Sequence, residues 1–133
     1  ADIVRFFDGA TEAFAVTDGG NVRIGNALTL ANTTPTISSG FGSSPSVVAG
    51  KAMAFTVNVG TGGTASTGVV AMNATATTGW ACNVDDLTTP ATESTRQTAT
   101  TTTTVSVANY SRTTGIADAW TASDILQFSC KAY

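Results

Sequence analysis

The residues able to do chemistry are few. Histidine is absent from the 133 residues, which removes Ser-His-Asp and Cys-His nucleophilic systems, the commonest general base and the commonest metal ligand together. The densest acidic spot is Asp85-Asp86 in "GWACNVDDL". Successive residues of a strand face opposite sides, so these carboxylates diverge unless the strand ends there, and the pair reads as a solvated strand end or turn cap. Calcium coordination is the lesser reading, because a hard-cation site needs several converging oxygens and only this pair is clustered. Asp2, Asp8, Glu12, Asp18, Glu93, Asp118 and Asp124 complete the acidic set. A glycosidase draws two carboxylates held about 5 to 9 Å apart from distant segments, but the sequence pairs no two of these. No catalytic residue, metal ligand set or cofactor is therefore assigned.

Cys82 and Cys130 each fall on the inward side of a strand pattern. They read as two buried thiols or as a bridge between neighbouring strands, and without CxxC spacing or histidine they do not make a zinc site. Trp80 shares its face with Cys82 and reads as core. Trp120 lies in the loop-like "TTGIADAWTASD" and, with Tyr110, is the candidate aromatic for a receptor or subunit contact, or for packing against the loop base. Arg5, Phe6, Phe7 and Phe14 are candidate partner-binding residues near the N-terminus, since arginine and aromatics are enriched at interfaces.

The elements that would position these groups are strands, because no long stretch carries apolar residues at helical spacing. In "KAMAFTVNVG", Met53, Phe55, Val57 and Val59 alternate with polar or small residues, the period of a half-buried strand. The glycine-rich "GTGGTASTG" then reads as a loop and Val69 to Met72 as the returning strand of a hairpin. Trp80, Cys82 and Val84 form one face of the next strand, Val105 and Val107 point inward on another, and Leu126, Phe128, Cys130 and Ala132 form one face of the last. The five-threonine run before Val105 reads as strand, since threonine is β-branched and its hydroxyl lets an extended backbone face water. Before Thr34 the chain changes character, with short strands joined at Asp18-Gly19-Gly20. Roughly eight short strands separated by Gly, Ser and Asn turns argue for an all-β, antiparallel β-sandwich or jelly roll. The expectation is a single jelly-roll-like domain over 34–133, with 1–33 an extended arm or accessory strands.

Composition limits the partners. Only 11% of residues are charged and 42% hydrophobic, with a formal charge of −3, so the surface is built of hydroxyls and amides. Low net charge removes self-repulsion, which points to association with another subunit. The six basic residues are scattered singly, without the clustered cations that nucleic-acid binding needs. No apolar run approaches the roughly 20 residues that cross a bilayer, and the start lacks the basic-then-apolar order of a signal peptide. Synthesis in a cytoplasm is expected.

Three blocks carry a resemblance: "TPTISSGFGSSPSVVAGKAMAFTVNVGTGGTASTGVVAM", "TTGWACNVDDLT" and "NYSRTTGIADAWTASDILQFSCKAY". Together they resemble a module recurrent in structural proteins of tailed bacteriophages, often at the C-terminal end of tail fibres or in small virion proteins. The resemblance spans residues 34–133 and leaves 1–33 uncovered. It implies a virion structural role without enzymatic activity, commonly as a homotrimer. The expected function is a capsid decoration or cement protein on the head surface, gripping the major capsid protein through its N-terminal segment. The alternative is a tail-fibre or receptor-binding tip that recognises host surface glycans through "GTGGTASTG" or the Trp120 loop.

Overall fold

The computed structural model describes residues 2–8, 11–17, 22–24, 33–61 and 65–133. The chain divides into two compact units, 1–30 and 31–133. Among the described residues there is no helix, and every strand pairing is antiparallel.

The first unit is a three-stranded sheet in the order β1-β2-β3, formed by β1 (Asp2–Asp8), β2 (Thr11–Thr17) and β3 (Val22–Ile24). The expected Asp18-Gly19-Gly20 turn lies outside the described residues. Register places Val4 opposite Val16, Phe6 opposite Phe14 and Val16 opposite Val22. Directly paired residues share a face, so these five apolar side chains form one surface. A bulge after Phe6 shifts the register, and Phe7 takes the Arg5 guanidinium 5.5 Å from its ring centroid.

The second unit has two packed four-stranded sheets. One runs β4 (Thr36–Gly40), β7 (Thr67–Ala71), β10 (Thr104–Ser111), β9 (Glu93–Thr100), and the other β5 (Ser46–Lys51), β6 (Ala54–Asn58), β11 (Ile125–Ala132), β8 (Trp80–Asp86). The alternation of apolar residues builds the core between them, from Phe55, Val57, Val59, Val70, Met72, Trp80, Val105, Val107, Leu126 and Phe128. Phe55 and Phe128, register partners on β6 and β11, stack with centroids 4.6 Å apart.

Two expectations are corrected here. The strand containing Phe55 and the strand after the glycine-rich loop do not form a hairpin, because β6 and β7 belong to different sheets and the connection crosses the sandwich. Both present apolar residues inward, and period 2 alone does not say whether two inward faces lie side by side or face to face. The threonine run is a turn as much as a strand. Thr100 closes β9, Thr104 opens β10, and Thr101 Oγ1 accepts hydrogen bonds from the backbone N–H of Thr103 and Thr104. Local hydroxyl-to-backbone bonding competes with strand pairing, and here it makes the reversal. Ala132 is also exposed, unlike Leu126, Phe128 and Cys130 on its face.

Side chains secure the flank where β8 and β9 border different sheets. Gln97 donates from Nε2 to the Trp80 carbonyl at 2.7 Å and accepts from the Cys82 N–H at 2.7 Å. Thr100 Oγ1 accepts from the Trp80 N–H at 2.9 Å. The Trp80–Cys82 end of the free β8 edge, otherwise open to strand addition, is thus occupied by β9 side chains.

Cys82 and Cys130 are register partners on β8 and β11 and form a disulfide, so the buried-thiol reading is set aside. The bridge joins residues 48 apart in sequence. In the chain-entropy model a closure of this length stabilises by about 4 kcal/mol. Replacing both cysteines by alanine is expected to lower the unfolding free energy by roughly 2–4 kcal/mol, read as a fall in the urea midpoint with unchanged far-UV dichroism. An unchanged midpoint would show that strand pairing alone holds β8 to β11.

Candidate functional site

The inward face is apolar along most of the sandwich and turns polar at one end. On β8 the series Trp80, Cys82, Val84 continues to Asp86, and residues immediately before β11 extend the series Phe128, Leu126 back to Asp124. On β9 the inward positions are Glu93 and Thr95, and on β10 Val105 and Val107 are followed by Asn109. Asp86, Glu93 and Asp124 are 5%, 6% and 0% exposed. An oxygen from each of the three carboxylates lies within 4.8 Å of one from the others.

Hydroxyls, amides and backbone N–H groups hold this cluster. Asp86 caps the β8–β9 turn: its Oδ1 accepts from the N–H of Thr88 at 2.8 Å and of Thr89 at 2.9 Å, and its Oδ2 from the Thr89 hydroxyl at 2.9 Å. Glu93 accepts from the Thr121 hydroxyl and from Asn109 Nδ2, both at 2.8 Å. Backbone bonds from Leu87 N–H to the Ile125 carbonyl, and from Ile125 N–H to the Thr88 hydroxyl, tie the turn to the start of β11. Asp124 is the exception. Its Oδ2 has a long 3.4 Å contact from the Thr89 hydroxyl, which is already committed to Asp86, and its Oδ1 is buried without a hydrogen-bond partner.

Trp120 borders this polar end. It is 1% exposed, stacks on Phe41 with centroids 5.1 Å apart, and donates from Nε1 to Thr95 Oγ1 at 2.8 Å. Thr95 donates in turn to Asn109 Oδ1. The Trp120 backbone N–H bonds to the Ala65 carbonyl, securing the trailing end of the glycine-rich loop; residues 62–64 of that loop lie outside the described residues. Phe41 itself has a φ of 68°, and its ring lies where a Cβ on Gly68 would stand 2.3 Å from it. Only glycine on β7 leaves room for this stack.

Trp120 is therefore no receptor contact; it packs against the loop base, because its indole completes the core at the point where the chain needs both apolar area and a donor. Tyr110 is half-buried, with the Arg96 guanidinium 5.5 Å from its ring centroid. Phe6 and Phe7 are 60% and 55% exposed and Phe14 half-buried. The Asp85-Asp86 pair splits as strand parity requires, Asp85 outward and Asp86 inward. The sequence reading missed the convergence of Asp86 with Glu93 and Asp124. The available signal was parity: each acid prolongs an inward series. Buried this deeply, the three offer no cleft to a glycan, and a glycosidase needs room for a sugar between its carboxylates.

Burial, then the charges of Asp86 and Glu93, raise Asp124 from the ordinary aspartate value of 3.8 to about 7. The closeness of the Glu93 carboxyl, favourable only while one of the two is protonated, adds to the rise, and the Thr121 backbone opposes it. In a chelator-treated protein the folded state then holds a proton that the unfolded state loses above about pH 4, so this group's contribution to stability falls as pH rises and levels off above about 7. Asp124→Asn is expected to flatten that slope and to be the more stable protein at pH 8. Urea midpoints of both proteins between pH 5 and 8 test this, and parallel profiles would exclude Asp124 as the cause.

No protein family matches the chain, and neither a curated protein nor a solved structure is found to be similar to it.

Proposed function

We propose that this protein is a non-enzymatic structural component of a tailed-bacteriophage virion, a capsid decoration protein that binds the major capsid protein and stabilises the head. The observation that carries the docking part of the reading is the apolar face of the N-terminal sheet. Val4, Phe6 and Val22 are 41%, 60% and 59% exposed there, beside half-buried Phe14 and Val16. A contiguous apolar face marks an interaction surface, and three short strands gain most of their stability from what covers them. The virion assignment itself rests on the three sequence blocks that resemble the phage module.

In this reading residues 34–133 act as a jelly-roll-like sandwich that trimerises. Eight strands in two sheets, with most connections crossing from one sheet to the other, support that winding. A charge-poor outer surface supports subunit packing, since few ions need desolvation on contact. Synthesis in a reducing cytoplasm would bring Cys82 and Cys130 together as thiols, with the bridge closing on release from the cell.

Quantitative mass spectrometry of purified virions tests the assignment: hundreds of copies per particle are expected on a head. A few to a few tens would move the protein to the tail, in the receptor-binding role. That alternative no longer has Trp120 as a stacking aromatic. For the docking face, Phe6→Asp is expected to weaken rebinding to heads stripped of the protein by at least about tenfold, with the thermal transition of the sandwich unchanged. Full rebinding by that variant would remove the N-terminal sheet from the interface.

A further inference from the structure

The polar end of the sandwich carries three carboxylates in one buried place. Burial, convergence and an unsatisfied oxygen there point to a positively charged ligand, and the nearby Arg112 guanidinium bonds only the backbone carbonyl of Glu93, at 2.6 Å. Buried carboxylates in natural proteins are paired, protonated or bound to metal. Asp86 and Glu93 have donors for both of their oxygens, whereas Asp124 Oδ1 is buried with none.

Oxygens bound 2.3–2.6 Å from a calcium ion stand at most about 5 Å apart. The three carboxylates each bring an oxygen within 4.8 Å of the others, so one ion can touch all three. The Thr89 and Thr121 hydroxyls, already bonded to Asp86 and Glu93, add hard oxygens at the rim. Nitrogen and sulfur ligands are absent from the cluster, which disfavours zinc and copper. Magnesium demands near-ideal octahedral geometry and keeps several waters, a poor match to a site this deeply buried.

We propose that Asp86, Glu93 and Asp124 bind a calcium ion that clamps the β8–β9 turn to the start of β11. The ion neutralises two of the three negative charges that the carboxylates carry. This inference stands apart from the virion reading, since it concerns the fold of residues 31–133 wherever the protein works.

The test is thermal unfolding of the full chain at pH 7.5, in EGTA and in calcium chloride. Calcium at a hundredfold excess over its dissociation constant is expected to raise the midpoint by about 10 °C. Asp124→Asn and Glu93→Gln are expected to lose that response, while Asp85→Asn, altered on the exposed side of the same strand, retains it. Direct binding is read from terbium luminescence sensitised by Trp120, present in the native protein, displaced by calcium and lost in Asp124→Asn. These readouts do not depend on comparing the stabilities of the variants. A native protein indifferent to calcium and dark with terbium would overturn the proposal, leaving a shared proton as the occupant. A calcium response surviving in Asp124→Asn would overturn it too, and an equal response to magnesium would overturn the choice of ion.

Discussion

Desolvating carboxylates is costly, and this sandwich places three of them where its core ends. A buried carboxylate is tolerated only when donors or a counter-charge replace its lost water. The features around this end answer that constraint. The β8–β9 turn folds its backbone N–H groups onto Asp86, Asn109 gives up an inward β10 position to serve Glu93, and the loop before β11 turns back so that Thr121 reaches the same residue. Trp120 joins the two regimes. Its ring extends the apolar core by stacking on Phe41, and its N–H enters the polar chain through Thr95 and Asn109.

The opposing side of the balance lies in the apolar layer and the covalent link. Phe55 against Phe128 and the valines of β6, β7 and β10 supply area removed from water, each large side chain contributing about 1.5–3 kcal/mol. The Cys82–Cys130 bridge fastens the edge strand β8 to β11. That edge strand ends at Asp86, so the bridge holds one wall of the acidic cluster in place against the repulsion within it. Gln97 and Thr100 also bond the Trp80–Cys82 end of the β8 edge.

Much of this was legible in the sequence, and the limits of legibility have physical causes. The alternation of Phe55, Val57 and Val59, or of Leu126, Phe128 and Cys130, fixes which side of a strand is buried, because one face of each strand meets the core. It does not fix which strand is the neighbour, and the β6–β7 crossing was therefore misread as a hairpin. Inward position was also treated as a property of apolar residues, and that hid the cluster. Asp86 and Asp124 continue inward series that parity alone would have extended, but a buried carboxylate is rare enough that the series seemed to stop at Val84 and Leu126. Between the two readings of Trp120, partner contact and packing against the loop base, the sequence could not choose: the residue follows "TTGIAD" in a stretch without strand period, yet a loop can carry a core residue when its backbone is tied down elsewhere. The Ala65 and Ser66 carbonyls do this by bonding to Trp120 and Asn109.

The threonines show the same economy of charge at the surface. Threonine hydroxyls on the outer face can also close a turn or cap an edge, as those of Thr101 and Thr100 do. The buried charges, Asp86, Glu93 and Asp124, are gathered at one end of the sandwich, whereas Lys51, Asp85, Arg96, Arg112, Asp118 and Lys131 are exposed. Anything that changes the charge inside the Asp86, Glu93 and Asp124 cluster acts on the β8–β9 turn, the start of β11 and the Trp120 loop at once. The two units also solve opposite problems. The sandwich buries charge it must satisfy from within, whereas the N-terminal sheet leaves Val4, Phe6 and Val22 exposed.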